Sequence, residues 1–183
     1  MKYVIEHLEP ELFEWCLVEY KHISKIVGKN KLIITNLKEE DLDKLEDYAD
    51  CRVQSVKDIN FNNTCVLDPF ASKELNSDDK FEYLIFGGIL GDNPPRRRTE
   101  EELQLPGERR SLGKEQMATD NAVYVAKQLV DGKKMQDLKF QEGIEILLAD
   151  GESVIFDFKY ILVDGKPLIS DALVKHLKER EEF

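Results

Sequence analysis

Two hydrophobic periods alternate along the first part of the chain. Residues 2–8 (KYVIEHL) alternate apolar and polar positions, which is typical of a β-strand. The next segment has apolar residues at helical spacing and predicts a helix, with Pro10 near its first turn and Gly28 at its end. Its apolar positions are Leu12, Cys16, Tyr20, Ile23 and Val27. The short apolar run 31–36 then predicts a strand covered on both faces, and residues 37–50 predict an acidic amphipathic helix.

The middle of the chain predicts further short strands. Residues 51–60 suit a strand followed by a turn or a short helix, and residues 64–69 suit a strand that ends at an Asp-Pro pair. Another buried strand lies within 77–88 and runs directly into two glycines. Residues 87–118 have little periodicity, and a loop of that length in a compact domain is usually functional or disordered.

The end of the chain has a different pattern. Thr119 is expected to cap a helix, and Ser170 is expected to cap a last helix. Asp-Gly pairs at 150–151 and 164–165 separate alternating apolar runs, which predicts β-hairpins. The order of elements predicts an α/β fold: a mainly parallel sheet with helices on both faces. We expect one domain, residues 1–183, with a small hairpin-rich extension from about residue 136.

Composition and charge narrow the class of protein. The net charge of -11 argues against electrostatic binding of nucleic acid by the protein surface as a whole. It suits a cationic partner such as a basic ribosomal protein. Cys16, Cys51 and Cys65 are far apart and have no metal-ligand spacing, so neither a metal site nor a disulfide framework is expected. No apolar run approaches the roughly 20 residues of a membrane span, and the charged start at 1–11 is unlike a signal peptide. These features predict a cytoplasmic protein.

The stretch FGGILGDNPPRRRTEEEL, residues 86–103, combines backbone freedom with charge. It is neither a P-loop nor a GxGxxG motif, but its glycines allow a ligand to approach the backbone closely. Local chemistry alone also permits a strand-end turn followed by a solvated loop. Two other irregular stretches, 67–69 and 111–119, also end or follow apolar strands. Three such loops at one sheet edge indicate a cleft for a ligand the size of adenosine.

Four segments carry a resemblance to a known family: EHLEPELFEWCLVEYKHIS, CVLDP, FGGILGDNPPRRRT and RRSLGKEQMATDNAV. Together they closely resemble the SPOUT-class methyltransferase family. That family includes a yeast arginine methyltransferase acting on a small-subunit ribosomal protein, and archaeal relatives described as S-adenosylmethionine-dependent RNA methyltransferases. The resemblance covers most of residues 1–170 and implies a carboxyl-terminal trefoil knot whose loops hold S-adenosylmethionine.

The resemblance also implies a set of residues that bind the methyl donor. They are Leu67, Asp68, Pro69, Gly87, Gly88, Ile89, Leu90, Gly91, Asp92, Leu112, Gly113, Met117 and Thr119. The chain departs from the eukaryotic pattern GDHPPRDRT at two positions, where it has Asn93 and Arg97. These departures bear on the substrate more than on the donor.

Glu6, Glu9 and Asp92 are the acids expected to hold the substrate or to accept a proton. Alternatively, Glu6 and Glu9 only accompany the positive end of the first helix. Arg96 and Arg98 are the expected substrate-binding residues, where they would steer RNA phosphate or hold the carboxylate of the donor. Their alternative is pairing with the acids at 100–102.

The sequence therefore predicts an S-adenosylmethionine-dependent methyltransferase acting on an arginine of a basic ribosomal protein. The alternative substrate is rRNA or tRNA, because Arg109, Arg110 and Lys114 add to the cluster at 96–98. A second alternative is a ribosome-associated binding factor without catalytic activity, which would not need a pocket of three loops. A monomer is favoured over a homodimer.

Overall fold

The computed structural model describes residues 1–88, 107–148 and 151–179. Its larger sheet has six parallel strands in the order β3-β2-β1-β5-β4-β6. The strands are β1 Lys2–His7, β2 Leu32–Thr35, β3 Asp50–Cys51, β4 Thr64–Leu67, β5 Tyr83–Gly88 and β6 Glu108–Arg110. Two helices accompany this sheet, α1 Glu14–Val27 and α2 Thr119–Val130. The predicted α/β class with a mainly parallel sheet is confirmed.

The central strands are buried on both faces, so their sequences are almost continuously apolar. Helices α1 and α2 pack on one face, where Ile5 of β1 meets the fully buried Tyr20 and Leu129. Val4, on the opposite side of β1, belongs to a smaller cluster with Val56. Within the described ranges this second face is covered by the irregular segment around Val56, where the sequence predicts a helix layer.

Two predicted elements differ in length from those observed. Helix α1 begins at Glu14, a full turn after Pro10. The predicted acidic helix is reduced to the 3-10 helix Glu39–Lys44. Just before it, the backbone amide of Leu37 donates to the carbonyl of Arg52 at 3.1 Å. The residues before the helix are therefore hydrogen-bonded to the segment that follows β3.

A second, antiparallel sheet contains β7 Phe140–Leu147, β8 Ser153–Val163 and β9 Lys166–Pro167, followed by α3 Asp171–Glu179. Asp164 and Gly165 connect β8 to β9 with φ of 51° and 78°. This two-residue turn is the hairpin geometry that an Asp-Gly pair favours; the other predicted pair is only partly described, since residue 150 lies outside the described residues. In the described part of the chain, no helix has the length and apolar character of a bilayer span.

Candidate functional site at the carboxyl edge of the parallel sheet

The carboxyl ends of β1, β5, β4 and β6 lie side by side. His7 pairs with Gly88 across β1 and β5, and Leu67 pairs with Arg110 across β4 and β6. The amide of Leu8 extends this edge by donating to the carbonyl of Gly88 at 3.1 Å. Because all these strands are parallel, the segments that follow them leave from the same edge of the sheet. The described predicted donor residues at 67–69 and 87–88 are therefore neighbours.

Gly88 is crowded by the protein itself. A Cβ at this position would lie 2.5 Å from the hydroxyl of Tyr20 and 2.7 Å from Cγ2 of Ile5. That hydroxyl is hydrogen-bonded to Nδ1 of His7 at 2.8 Å, and burial lowers the pKa of His7. Gly88 is thus required for the approach of β5 to β1 and α1, whether or not a ligand also contacts its backbone.

Asp68 stabilises the loop after β4. Its carboxylate accepts a hydrogen bond from the amide of Phe70 at 2.9 Å and pairs with the guanidinium of Arg109 at 3.1 Å. Its own amide donates to the carbonyl of Arg110 at 2.9 Å. The side chain of Asp68 is only 5% exposed, so a ligand at this loop would meet mainly backbone and the exposed Pro69.

The loop after β6 leads from the sheet edge to α2. The backbone amide of its first residue, Ser111, donates to the carbonyl of Lys73 at 2.8 Å, and Ser111 forms an isolated parallel bridge with Glu74. Leu112 is buried, and Gly113 has a φ of 105°, which favours glycine. Met117 is half-buried just before the helix. The described part of the predicted donor set in this loop thus combines apolar side chains with a turn of backbone, as an adenine ring requires.

The start of α2 is capped from another helix. The sequence predicts Thr119 as the cap residue, but Ala118 occupies that position and Thr119 is the first helical residue. The carboxylate of Glu19 in α1 accepts hydrogen bonds from the amides of Thr119 and Asp120, at 2.9 and 3.4 Å. Burial, together with the nearby charge of Asp120, raises the pKa of Glu19 to about 8. The two partners are a hundred residues apart, so no local pattern could reveal this cap.

The first turn of α2 also connects α1 to the antiparallel sheet. Asp120 pairs with Nδ1 of His22 in α1 at 2.7 Å. Asn121, fully buried, donates to the carbonyl of Leu168 at 3.0 Å and accepts from the amide of Ile161 at 3.0 Å. The carboxamide group of Asn121 is therefore held at its nitrogen and at its oxygen by the backbone of the antiparallel sheet and the residue after it.

The predicted acids differ in their surroundings. Glu6 is 2% exposed, and its carboxylate accepts hydrogen bonds from Thr35 Oγ1 at 2.5 Å, Ser55 Oγ at 2.5 Å and the amide of Val56 at 3.0 Å. These hydrogen bonds anchor the segment on the second face of the sheet to Glu6, and its expected catalytic role stays a prediction. Glu9 is half-buried in the turn before α1.

Several predicted residues lie outside the described residues. Among the donor and catalytic candidates these are Ile89, Leu90, Gly91 and Asp92, and among the substrate candidates Arg96 and Arg98.

Comparison with known proteins gives concordant matches. A family model described as "Protein arginine N-methyltransferase SFM1-like" matches residues 2–182. "Protein arginine N-methyltransferase SFM1" of Saccharomyces cerevisiae is 33% identical over 207 residues, which cover 98% of this chain and 95% of the yeast protein. The crystal structure of yeast SFM1 complexed with SAM matches with a TM-score of 0.87 and 33% identity, over 97% of this chain and 90% of that one.

The crystal structure of dual-specific Trm10 from Thermococcus kodakaraensis is a more distant match. It has a TM-score of 0.57 and 19% identity, and the match covers 75% of this chain and 96% of that one. At this identity it shows a shared fold alone. The resemblance to SPOUT-class methyltransferases is confirmed by these matches taken together.

Proposed function

The chain belongs to the SFM1-like family of protein arginine N-methyltransferases, and we propose that it methylates an arginine of a basic ribosomal protein. It is an S-adenosylmethionine-dependent methyltransferase with a protein substrate. The observation that carries the proposal is the family match along residues 2–182 to proteins of one activity. The adjacent carboxyl ends of four parallel strands, joined by the loop 111–119 to a helix, supply a suitable site.

The donor is assigned to the loops after β4, β5 and β6. The proposed contacts are Leu67, Asp68, Pro69, Gly87, Gly88, Ile89, Leu90, Gly91, Asp92, Leu112, Gly113, Met117 and Thr119. The described members suit this ligand: Leu112 and Met117 supply apolar contacts, and the backbone at Gly113 turns beside them. S-adenosylmethionine supplies an activated methyl group on a sulfonium sulfur, and the protein contributes mainly the relative position of the two reactants.

The acceptor nitrogen is part of a guanidinium group, which has no free lone pair until a proton leaves. A carboxylate near the acceptor is therefore required, both to balance the charge of the guanidinium group and to receive its proton. The three predicted acids, Glu6, Glu9 and Asp92, remain in the proposal, although the carboxylate of Glu6 already accepts three hydrogen bonds. Arg96 and Arg98 remain proposed contacts of the substrate.

Charge pairing favours protein over RNA as the substrate. Arg110 makes a two-pronged contact with Asp79, with distances of 2.8 to 3.2 Å, and also pairs with Glu108. Arg109 pairs with Asp68. Two arginines of the cluster that suggested phosphate binding are thus neutralised by acids. The net charge of -11 then favours encounter with a basic protein.

Three further properties belong to the same proposal. The chain acts as a monomer, it is located in the cytoplasm, and its donor loops form a trefoil knot. The family resemblance supports the knot. Light scattering at several protein concentrations would test the monomer, because the scattering mass of a dimer would rise with concentration.

Labelled donor tests the activity directly. The protein is incubated with S-adenosylmethionine carrying a labelled methyl group and with ribosomal subunits from its own source, and the products are digested separately with protease and with ribonuclease. We expect the label to be lost to protease and to map to an arginine by mass spectrometry. Label lost only to ribonuclease would contradict the arginine proposal in favour of RNA. A protein that binds neither the donor nor S-adenosylhomocysteine in calorimetry would be a binding factor, and the enzyme proposal would be wrong.

A further inference from the structure

An apolar cavity of about 490 Å³ lies between α1, the start of α2, β8 and α3. Five aromatic side chains line it: Phe13, Trp15, Phe156, Phe158 and Tyr160. Its volume is in the range of pockets that bind small organic molecules, roughly 300–1,000 Å³. The cavity is separate from the loop after β4, but Met117 and Thr119 border both the cavity and the proposed donor site.

One wall of this cavity is acidic. Glu19 and Asp120 both line it. Asp120 is 5% exposed and its carboxylate is taken up by His22 and by Asn121. Glu19 is half-buried and lines the cavity, and its carboxylate caps the first turn of α2. Its carboxylate is therefore the acidic group that a molecule in the cavity would reach.

The imidazole of His176 also lines this space. In the described part of the chain, Nε2 of His176 is a buried side-chain atom without a hydrogen-bond partner, and His176 lines the cavity. Leaving such an atom unpaired is unfavourable.

We propose that this cavity receives the side chain of the arginine to be methylated. A guanidinium group carries a positive charge and several N–H donors for Glu19, and a flat face that stacks on aromatic rings. The methylene groups of arginine would lie along the apolar walls. The proposal rests on the proposed function, and the shared border at Met117 and Thr119 brings this side chain next to the donor.

Lysine and purely apolar side chains suit the cavity less well. A lysine ammonium is a compact, strongly hydrated charge without a flat face, so it gains less from the aromatic walls. An apolar side chain would leave the charge of Glu19 without a counter-ion in the cavity. Burial and Asp120 raise the pKa of Glu19, and a cation in the cavity would act in the opposite direction by favouring the ionised form.

Trp15 makes the cavity directly observable, because it is the only tryptophan of the chain. Its fluorescence is titrated with N-acetyl-arginine amide in the presence of saturating S-adenosylhomocysteine. The matched control ligand is N-acetyl-citrulline amide, which has a similar shape but no charge. We expect a saturable change with the arginine compound and binding at least tenfold weaker for the citrulline compound.

Two variants locate the binding. Glu19→Gln keeps a carbonyl oxygen for the amides of Thr119 and Asp120 but removes the charge, so affinity for the arginine compound, measured at saturating S-adenosylhomocysteine, should fall at least tenfold. Val18→Phe narrows the cavity without changing charge and should also abolish the arginine response. The charge control is Asp131→Asn, an exposed acid at the far end of α2, which should behave as wild type. Circular dichroism verifies that each variant is folded.

Three results would overturn the pocket: no saturable response to the arginine compound, equal affinity for arginine and citrulline compounds, or folded Glu19→Gln and Val18→Phe proteins with unchanged arginine affinity. Methyl transfer to arginine with any of these results would refute the pocket alone. Absence of S-adenosylhomocysteine binding in the wild-type protein would instead refute the proposed function.

Discussion

Replacing Gly88 with alanine should destabilise the junction of β1, β5 and α1. The new methyl group would lie 2.5 Å from the Tyr20 hydroxyl, 2.7 Å from Ile5 Cγ2 and 3.1 Å from the carbonyl oxygen of Glu6. Ordinary carbon contacts are about 3.5–4.0 Å, so Tyr20 and Ile5 would each have to retreat by about 1 Å. Overpacking of this kind costs about 1–3 kcal/mol, and weakening the 2.8 Å bond between Tyr20 and His7 adds about 1 kcal/mol. We expect a loss of about 3 kcal/mol, or roughly 6–12 °C in melting temperature.

A double-mutant cycle tests the cause. Tyr20→Phe removes the hydroxyl and, alone, should cost about 1 kcal/mol because Nδ1 of His7 loses its partner. In the double variant with Gly88→Ala, the methyl group occupies the vacated space, so the total loss should be smaller than the sum by at least about 1 kcal/mol. Urea denaturation of the four proteins, followed by circular dichroism, measures these free energies. Losses that add within about 0.5 kcal/mol would refute the crowding argument.

Three other predictions concern the carboxylate of Glu19, the side chain of Asn121 and the net charge of the protein. Since burial raises the pKa of Glu19 to about 8, the folded protein binds more protons than the unfolded chain between about pH 4.5 and 8. Stability should therefore fall as pH rises through that window, and a urea series at several pH values should show a flatter profile for Glu19→Gln; an equal slope would contradict the assignment. Asn121→Ala should cost about 2–4 kcal/mol, because it leaves the Ile161 amide and the Leu168 carbonyl unpaired, and hydrogen exchange at Ile161 should accelerate. The apparent KM for a basic protein substrate should rise with salt, and a salt-independent KM would argue against charge-driven encounter.

The strands of the parallel sheet were predictable from the sequence where they consist mainly of apolar residues. The runs that became β1, β2, β4 and β5 are short and rich in β-branched or aromatic residues, and burial on both faces leaves little choice of residue type. The Asp164-Gly165 turn was predictable for a local reason, since two successive residues with positive φ favour such a pair. The loops proposed to bind the donor were predicted from their sequence motifs and from their position after apolar strands.

Long-range contacts explain what the sequence could not predict. Strand β6 consists of Glu108, Arg109 and Arg110, which have low strand propensity; pairing with β4 and the acids around them stabilise it there. The cap of α2 comes from Glu19, on a helix far away along the chain. Glu6 has the residue type of a catalytic acid, and the sequence could not reveal its three hydrogen-bond donors, which come from separate segments.

The antiparallel sheet is closely tied to the proposed site, although its sequence suggests an extension. The amide of Lys159 in β8 donates to the carbonyl of Gln116 at 2.8 Å, within the loop that leads to α2. Phe156, Phe158 and Tyr160, on the same strand, form a wall of the apolar cavity. Because alternate residues of a strand face the same side, β8 presents three aromatic rings to the cavity. Its backbone also holds the loop that leads to α2, through the bond between Lys159 and Gln116. Selection of an arginine and positioning of the methyl donor would therefore depend on the same strand, and a change in either should be felt by the other.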